Sequence, residues 1–439
     1  MVSRLIIIES LGNKNYKIKG DNTMARRVLE KYRPINVKGY VYVGKGSITM
    51  IPKICKDENW KKVLLVIDPG VLKAGGADGI IKVVEDAGLV YEIFSEIKPN
   101  PLQADIESIG LKMYREMKAD AMIAVGGGSA MDSAKGIAMI GDSDMTIDQI
   151  EPILFNMSPN APCPWKTYPM ICIPTTCGTG SEVIRNAVIT DAKGHKMVPK
   201  HDCILPQYAI EDPDLLATLP AHVAASTAMD ALVQAIESYV CRAATEFSEM
   251  CALRAIELIG PNIVRYVRNP AEEDAADAIC RGAMFAGFSW NCASIAQIHA
   301  SNHPITELLH ISHGDACAIL LPWFVEWNGE NKKEKFWKVY NAIWPTEMVT
   351  FKDFNLDLMV KKLMKLNYDL NIMNNMTMDE YAKWRGIEGG CPDELCDRIV
   401  DMQFAGRDLP SYPRKTSDDE MKKALRDVNH GKYIYKPTE

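Results

Sequence analysis

The chain is poor in the features that mark membrane, secreted and nucleic-acid-binding proteins. Among its 439 residues no apolar stretch approaches the ~20 needed to span a bilayer. The run Leu5-Ile6-Ile7-Ile8 is too short for the core of a signal peptide. No long Lys/Arg run occurs, and a formal net charge of −7 offers no basic face to neutralise phosphates. Twelve cysteines, Cys55, Cys163, Cys172, Cys177 and Cys203 among them, lie scattered without the short paired spacings of a disulfide or zinc framework. No internal repeat and no low-complexity tract is present. These absences argue against a membrane or nucleic-acid partner. They lead us to expect a small-molecule partner and the reducing cytoplasm.

What is present describes a large soluble protein. The length exceeds the usual size of one core, so two domains are expected. With 47% hydrophobic and 24% charged residues the chain has enough apolar surface to bury. Residues 1–35 are mixed and charged; we read them as an appendage with a short amphipathic helix from Met24 to Tyr32 ahead of Pro34. Residues 36–212 alternate β-rich runs with helix-length segments. The runs are Tyr40–Val43, Val63–Ile67, Tyr91–Phe94, Ala121–Val125 and Met170–Ile173. Near-continuous apolar strands separated in this way predict a parallel, doubly wound α/β sheet. Residues 213–439 carry helical periodicity, as in Ser226–Cys241, Ser248–Leu258, Ala271–Phe288 and Leu356–Leu370, and predict an all-α domain.

Two turns in the first domain carry chemistry. Gly126-Gly127-Gly128-Ser129 follows the strand that ends at Val125 and opens a helix through Asp132 to Lys135. Three glycines let the backbone approach a ligand closely, and a helix N-terminus offers free N–H groups to a pyrophosphate. The pattern is not the usual G-x-G-x-x-G fingerprint, and an ordinary tight turn is the competing reading. The second turn, Pro174 to Glu182, holds Thr175, Thr176 and Thr179, whose hydroxyls suit phosphate, ribose or carboxamide, or simply cap a helix. Asp68 closes the Val63–Ile67 strand, where a carboxylate can accept from a ribose diol and repel a 2′-phosphate; Asp68-Pro69-Gly70 is equally good turn chemistry.

The second domain concentrates potential metal ligands. Asp230 and Gln234 stand four apart on one helical face, and His299 and His303 repeat that spacing before Pro304, which is expected to interrupt the helix. With His310 and His313, half of the eight histidines fall within fifteen residues of one another, leaving His195, His201, His222 and His430 elsewhere. A carboxylate beside clustered imidazoles is how a divalent transition-metal site is assembled.

Taken together, the Gly126–Lys135 turn, the Pro174–Glu182 loop, Met229-Asp230-Ala231-Leu232, and His299-Ala300-Ser301-Asn302-His303-Pro304 through His313-Gly314 to Leu320-Leu321-Pro322 resemble the iron-containing (group III) alcohol dehydrogenases. The resemblance covers roughly residues 36–330. It implies a Rossmann-like N-terminal domain binding NAD(H) and a helical C-terminal domain, with a metal in the cleft between them. It implies cofactor contacts at Asp68, Gly126, Gly127, Gly128, Ser129, Asp132, Thr175, Thr176 and Thr179. Metal ligands are implied at Asp230, His299 and His313, with His303 beside the nicotinamide as a proton relay. The family's fourth ligand, a histidine, falls on Gln234, a poorer donor for a soft or borderline metal. Where relatives carry glycines, this chain has Ile305-Thr306-Glu307 and Ser294-Ile295-Ala296-Gln297, which should reshape the substrate pocket.

The activity this implies is interconversion of a short aldehyde, polar or anionic, with its primary alcohol. The implied metal is iron first, with zinc or manganese as alternatives, and a homo-oligomer is expected. Three other readings stay open at this point. One is a metal-independent dehydrogenase using Gln234 and His303 as hydrogen-bonding groups. Another is a catalytically degenerate assembly subunit. The third is a dehydroquinate-synthase-type carbocycle-forming enzyme, which calls for a more basic pocket.

Overall fold

The computed structural model describes residues 39–402 and 411–437, the isolated positions Ile35 and Val37, and the backbone of two short strands near the N-terminus. Those strands, β1 (Ile8–Leu11) and β2 (Asn15–Ile18), form an antiparallel pair. The helix expected at Met24–Tyr32 lies outside the described residues.

The first half is built on a six-stranded, wholly parallel sheet. Its strands are β3 (Tyr40–Val43), β4 (Lys62–Ile67), β5 (Val90–Phe94), β6 (Ala121–Gly126), β7 (Met170–Pro174) and, after the small antiparallel pair β8 (Ile189–Thr190) and β9 (Lys196–Met197), β10 (Tyr208–Glu211). The order across the sheet is β3-β10-β7-β6-β4-β5. Five of these strands are the five expected runs. The sixth, β10, is an addition to them: Tyr208-Ala209-Ile210-Glu211 is short and ends on a charged residue, yet all four positions are buried. β6 and β7 are buried at every position because helices cover both faces of the sheet, which is why they read as unbroken apolar runs.

The order of the strands decides where a ligand can sit. From β4 the chain first builds outward to β5, then crosses to the other side of β4 to lay down β6, β7 and β10. The switch in direction therefore falls between β4 and β6, where a crevice opens at the carboxyl ends of the strands. Ile67 pairs with Val125 and Gly126 pairs with Pro174, so the ends of β4, β6 and β7 lie side by side. Asp68, the glycine turn and the threonine-rich turn are neighbours for that reason.

Past Glu211 the described chain is helical. The Ala221–Val240 helix is buried along almost its whole length and packs against the helices Glu246–Ile259, Glu273–Cys292 and His313–Ile343. A helix buried on all sides belongs in the middle of a bundle. Pro304 does not end the Gln297–Leu309 helix as expected: the helix runs on for five more residues. Proline removes one backbone hydrogen bond, but Ile305 and Leu309 are buried in the bundle core, and tertiary packing outweighs that local cost. None of the helices among the described residues is long and apolar enough to cross a membrane.

Candidate metal and cofactor site

The glycine turn is shaped by close approach. Gly126 has φ of 149°, and a Cβ there would meet the Asp68 Cβ at 2.8 Å and the Ala130 Cβ at 2.9 Å. A Cβ on Gly128 would come within 2.9 Å of Thr179 Cγ2, and one on Gly127 within 3.2 Å of Thr176 Oγ1. The second turn thus lies directly over the first. The Gly128–Ile140 helix begins with no side chain capping its N-terminus, which leaves its first N–H groups to a ligand. Thr175 Oγ1 is buried without a partner. A backbone cradle that any side chain would fill, at an uncapped helix start, fits a dinucleotide pyrophosphate.

Two of the residues expected at the cofactor have other work as well. Asp68 Oδ1 accepts from the Gly70 and Val71 N–H groups at 2.8 and 3.1 Å, so its turn chemistry is realised. Asp132 uses both oxygens within the protein, accepting from Ser181 Oγ at 2.8 Å and the Val188 N–H at 2.9 Å. Beside it Lys135, fully buried, donates to Ser181 Oγ and to the carbonyls of Ile184 and Asn186 at 2.7–3.0 Å. Burial lowers the Lys135 pKa and raises that of Asp132, and each charge opposes the other's shift. Together they brace the segment after the second turn against the helix that the first turn opens.

In the helical half, side chains from three helices converge. Asp230, Gln234 and Glu237 share one face of the Ala221–Val240 helix; His299, Asn302, His303 and Thr306 share one face of the next contributor; His313 and Cys317 stand four apart at the start of the third. His299 Nε2 lies 3.3 Å from Asp230 Oδ1, and His313 Nε2 lies 3.6 Å from the same atom. Cys317 Sγ lies 3.8 Å from both Asp230 Oδ1 and His299 Nε2. One donor atom from each of Asp230, His299, His313 and Cys317 falls within 4.8 Å of the other three.

Donors about 2.0–2.1 Å from a shared centre at tetrahedral angles stand about 3.3–3.4 Å apart, and about 3.6 Å when one of them is sulfur at about 2.3 Å. The observed separations approach these spacings, so the residues fit a divalent transition metal.

The surroundings of the cluster are arranged for that task. His299 Nδ1 lies 2.6 Å from Glu237 Oε2, and the other Glu237 oxygen accepts the Ile298 N–H at 2.7 Å. A proton held at Nδ1 by this carboxylate leaves Nε2 as the donor atom facing Asp230. Burial alone would raise the Asp230 pKa, but His313 and His299 reverse the shift and hold it below the usual value. Burial pushes the Cys317 thiol up to about 11 and the His303 imidazole down to about 3, the latter assisted by His313 and Lys196. Gln234 Nε2 donates to Asp230 Oδ1 at 3.2 Å while its Oε1 is buried without a partner. The His303 ring centroid lies 5.7 Å from that of His313. His310 stands apart, exposed at the helix end with φ of 52°.

Sequence reasoning missed Cys317, Glu237, Asn302 and Lys196. For Cys317 a signal existed in its spacing of four from His313; for Glu237, in its position seven after Asp230. Lys196, on β9, is close enough for its charge to act on His303, His313 and Glu307, and no local pattern marks it. Of the polar groups expected near the substrate pocket, Gln297 donates to the Arg414 carbonyl and Thr416 Oγ1, and Thr306 donates to Asn302 Oδ1.

The two halves meet at the second turn. A Cβ on Gly178 would stand 3.2 Å from Asp230 Oδ2, so the loop that covers the glycine cradle also touches the donor cluster.

Comparison with known proteins extends this description. Residues 39–213 match the family described as iron-containing alcohol dehydrogenase, and residues 224–428 match its C-terminal counterpart. The match reaches well past residue 330 and includes the glycine-rich segment Arg385–Cys391. Alcohol dehydrogenase 4 of Schizosaccharomyces pombe is 32% identical over 66% of this chain and 67% of its own. The NAD-dependent methanol dehydrogenase of Bacillus methanolicus is 30% identical over 67% of this chain and 75% of its own. Among solved structures, a 1,3-propanediol oxidoreductase superposes with a TM-score of 0.81 at 26% identity, covering 91% of this chain and all of that one.

Proposed function

This chain belongs to the iron-containing alcohol dehydrogenase family of NAD-dependent oxidoreductases, and from that premise we propose that it interconverts a short aldehyde carrying a polar or anionic group and its primary alcohol. The observation that carries the reading is the placement of one turn against both halves of the site. Thr176 and Thr179 lie on the glycine cradle, and Gly178 lies on Asp230. A dinucleotide anchored by its pyrophosphate at Gly126–Ser129 is thereby directed toward the donor cluster.

Asp230, His299 and His313 would hold the metal. The bound groups supply Lewis acidity at the substrate oxygen and a hydride acceptor or donor at the nicotinamide. The protein's own contributions follow from its geometry. Glu237 fixes the tautomer and orientation of His299. His303, kept neutral by burial, is ready to take the proton an alcohol loses or to return it to an alkoxide. The Asp132–Ser181–Lys135 brace holds the two turns in register, so that a bound substrate and cofactor meet at a fixed distance. Lys196 supplies a cation on the histidine side of the site, and it is the reason to prefer a substrate with an anionic or strongly polar tail.

The test is NADH oxidation against a panel of short aldehydes, neutral and anionic, before and after chelation, with metal content measured on protein purified anaerobically. Chelator-sensitive turnover with about one bound metal is expected. Replacing Lys196 by Ala should raise KM for anionic aldehydes and spare neutral ones. Undiminished turnover in fully chelated protein would leave a hydrogen-bonding mechanism through Gln234 and His303 in its place. Equal preference for neutral aldehydes would remove the substrate assignment.

A further inference from the structure

We propose that Cys317 takes the place of the family's fourth ligand histidine, closing a carboxylate, bis-imidazole and thiolate donor set that selects zinc over iron. The inference rests on the assignment of Asp230, His299 and His313 as ligands and asks what completes them. Two residues compete for the position: Gln234, which the resemblance aligns with the family's ligand, and Cys317, whose sulfur stands among the other three donors.

The geometry favours the thiol. Cys317 Sγ is 3.8 Å from two of the other donors, close to the spacing a sulfur ligand would have. It stands one helical turn after His313, so two donors from one helix face the same point.

The sulfur is also held as a hydrogen-bond acceptor. Asn302 Nδ2 donates to Cys317 Sγ at 2.8 Å and to the His313 carbonyl at 2.7 Å. The Thr306 hydroxyl donates to Asn302 Oδ1 at 2.9 Å, so the orientation of the amide is settled by its partners on both ends. An N–H aimed at a cysteine sulfur stabilises thiolate, the form that binds metal. On binding, the metal–sulfur bond forms as the thiol proton leaves to solvent; nothing is oxidised or reduced.

Gln234 is committed elsewhere. Its Nε2 donates to Asp230 Oδ1, so turning the amide over to offer its oxygen would remove a donor from the carboxylate that anchors the cluster. Its Oε1 remains buried with no partner among the protein's atoms, which marks it as a group awaiting a bound water or substrate rather than one packed for structure alone. Exchanging a neutral nitrogen donor for a thiolate softens the donor set, and a tetrahedral N/O/S set is zinc chemistry more than iron chemistry.

The experiment uses the full chain, freed of metal and titrated with Co(II) as a spectroscopic probe and with Zn(II) in competition with an indicator chelator. The native protein and Gln234→Ala should develop a near-ultraviolet thiolate-to-cobalt charge-transfer band; Cys317→Ser should not. Zinc affinity should fall by on the order of 10²-fold or more in Cys317→Ser and by about 10–100-fold in Asn302→Ala, the loss typical of an outer-sphere partner. NADH binding, measured on each variant, reports whether the fold survives. Cobalt bound by native protein without the band, or loss of metal in Gln234→Ala but not in Cys317→Ser, would overturn the proposal. In either case chelator-sensitive aldehyde turnover would still stand as a separate test of the enzyme reading.

Discussion

The two halves of this molecule make their contributions to one site in different ways. The α/β half offers backbone: three consecutive glycines at a strand end, the N–H groups of an uncapped helix and a threonine-rich turn laid over them. The helical half offers side chains: a carboxylate, two imidazoles and a thiol brought together from three helices. A backbone site depends on the absence of side-chain atoms and is written in contiguous residues. A side-chain site depends on the register of separate helices, and one residue of the set can be exchanged while the others remain. Here Gln234 stands four residues after Asp230 on one helix, and the thiol of the donor cluster comes from another.

If the halves are separable in this sense, mutations should dissociate them. The largest effect is expected at Asp230, whose Oδ1 is the atom nearest both histidine donors. Asp230→Ala should remove bound metal and reduce kcat/KM by on the order of 10³-fold, a loss of several kcal/mol of electrophilic stabilisation. NADH affinity should stay within about twofold, as fluorescence titration will show. A parallel collapse in NADH binding would mean that the halves are not independent.

The next effect tests the brace that holds the second turn, where the halves meet, against the helix opened by the first. Lys135→Met keeps the length of the side chain but removes the cation beside half-buried Asp132 and leaves three acceptors without their donor. Leaving buried acceptors without their donor costs about 1–3 kcal/mol. Denaturant unfolding should register that loss, and residual activity should show raised KM for both cofactor and aldehyde. The converse of the Asp230 experiment is Gly128→Val. Its Cβ would stand 2.9 Å from Thr179 Cγ2, so the cradle must open. NADH binding should weaken by about 10–100-fold, or about 1.4–3 kcal/mol, with metal content unchanged.

The same contrast explains what was legible in the sequence. The glycine turn, five of six strands and the main helices follow from local pattern, because burial on both faces of a sheet or one face of a helix leaves a periodic trace. The histidine cluster beside a carboxylate was visible from residue type and spacing, and the family resemblance singled out Asp230, His299 and His313 within it. Cys317 carried only a spacing, and its meaning depends on the distance to Asp230 on a helix 87 residues away in sequence. Lys196 carried no signal, since its influence on His303 and His313 comes from a two-residue strand far from them in sequence. β10 escaped because four residues are too few for periodicity to accumulate. Pro304 misled for the opposite reason: a strong local rule was overridden by packing.

The smallest effect probes the seam itself, where Glu182 on the second turn and Glu211 at the end of β10 are both buried near Cys280 of the helical half. Burial, then the neighbouring Glu182 charge, holds the Glu211 carboxyl well above its ordinary value of 4.5. Above pH 4.5 the unfolded chain releases this proton while the folded chain keeps it. The native state then binds more protons, and stability falls as pH rises until the folded group titrates. Glu211→Gln is neutral at every pH and preserves the shape and a hydrogen-bond donor toward Glu182. Its melting temperature should match the native protein near pH 4.5 and exceed it progressively at higher pH. A constant offset across the pH range would show that the seam is held by packing alone.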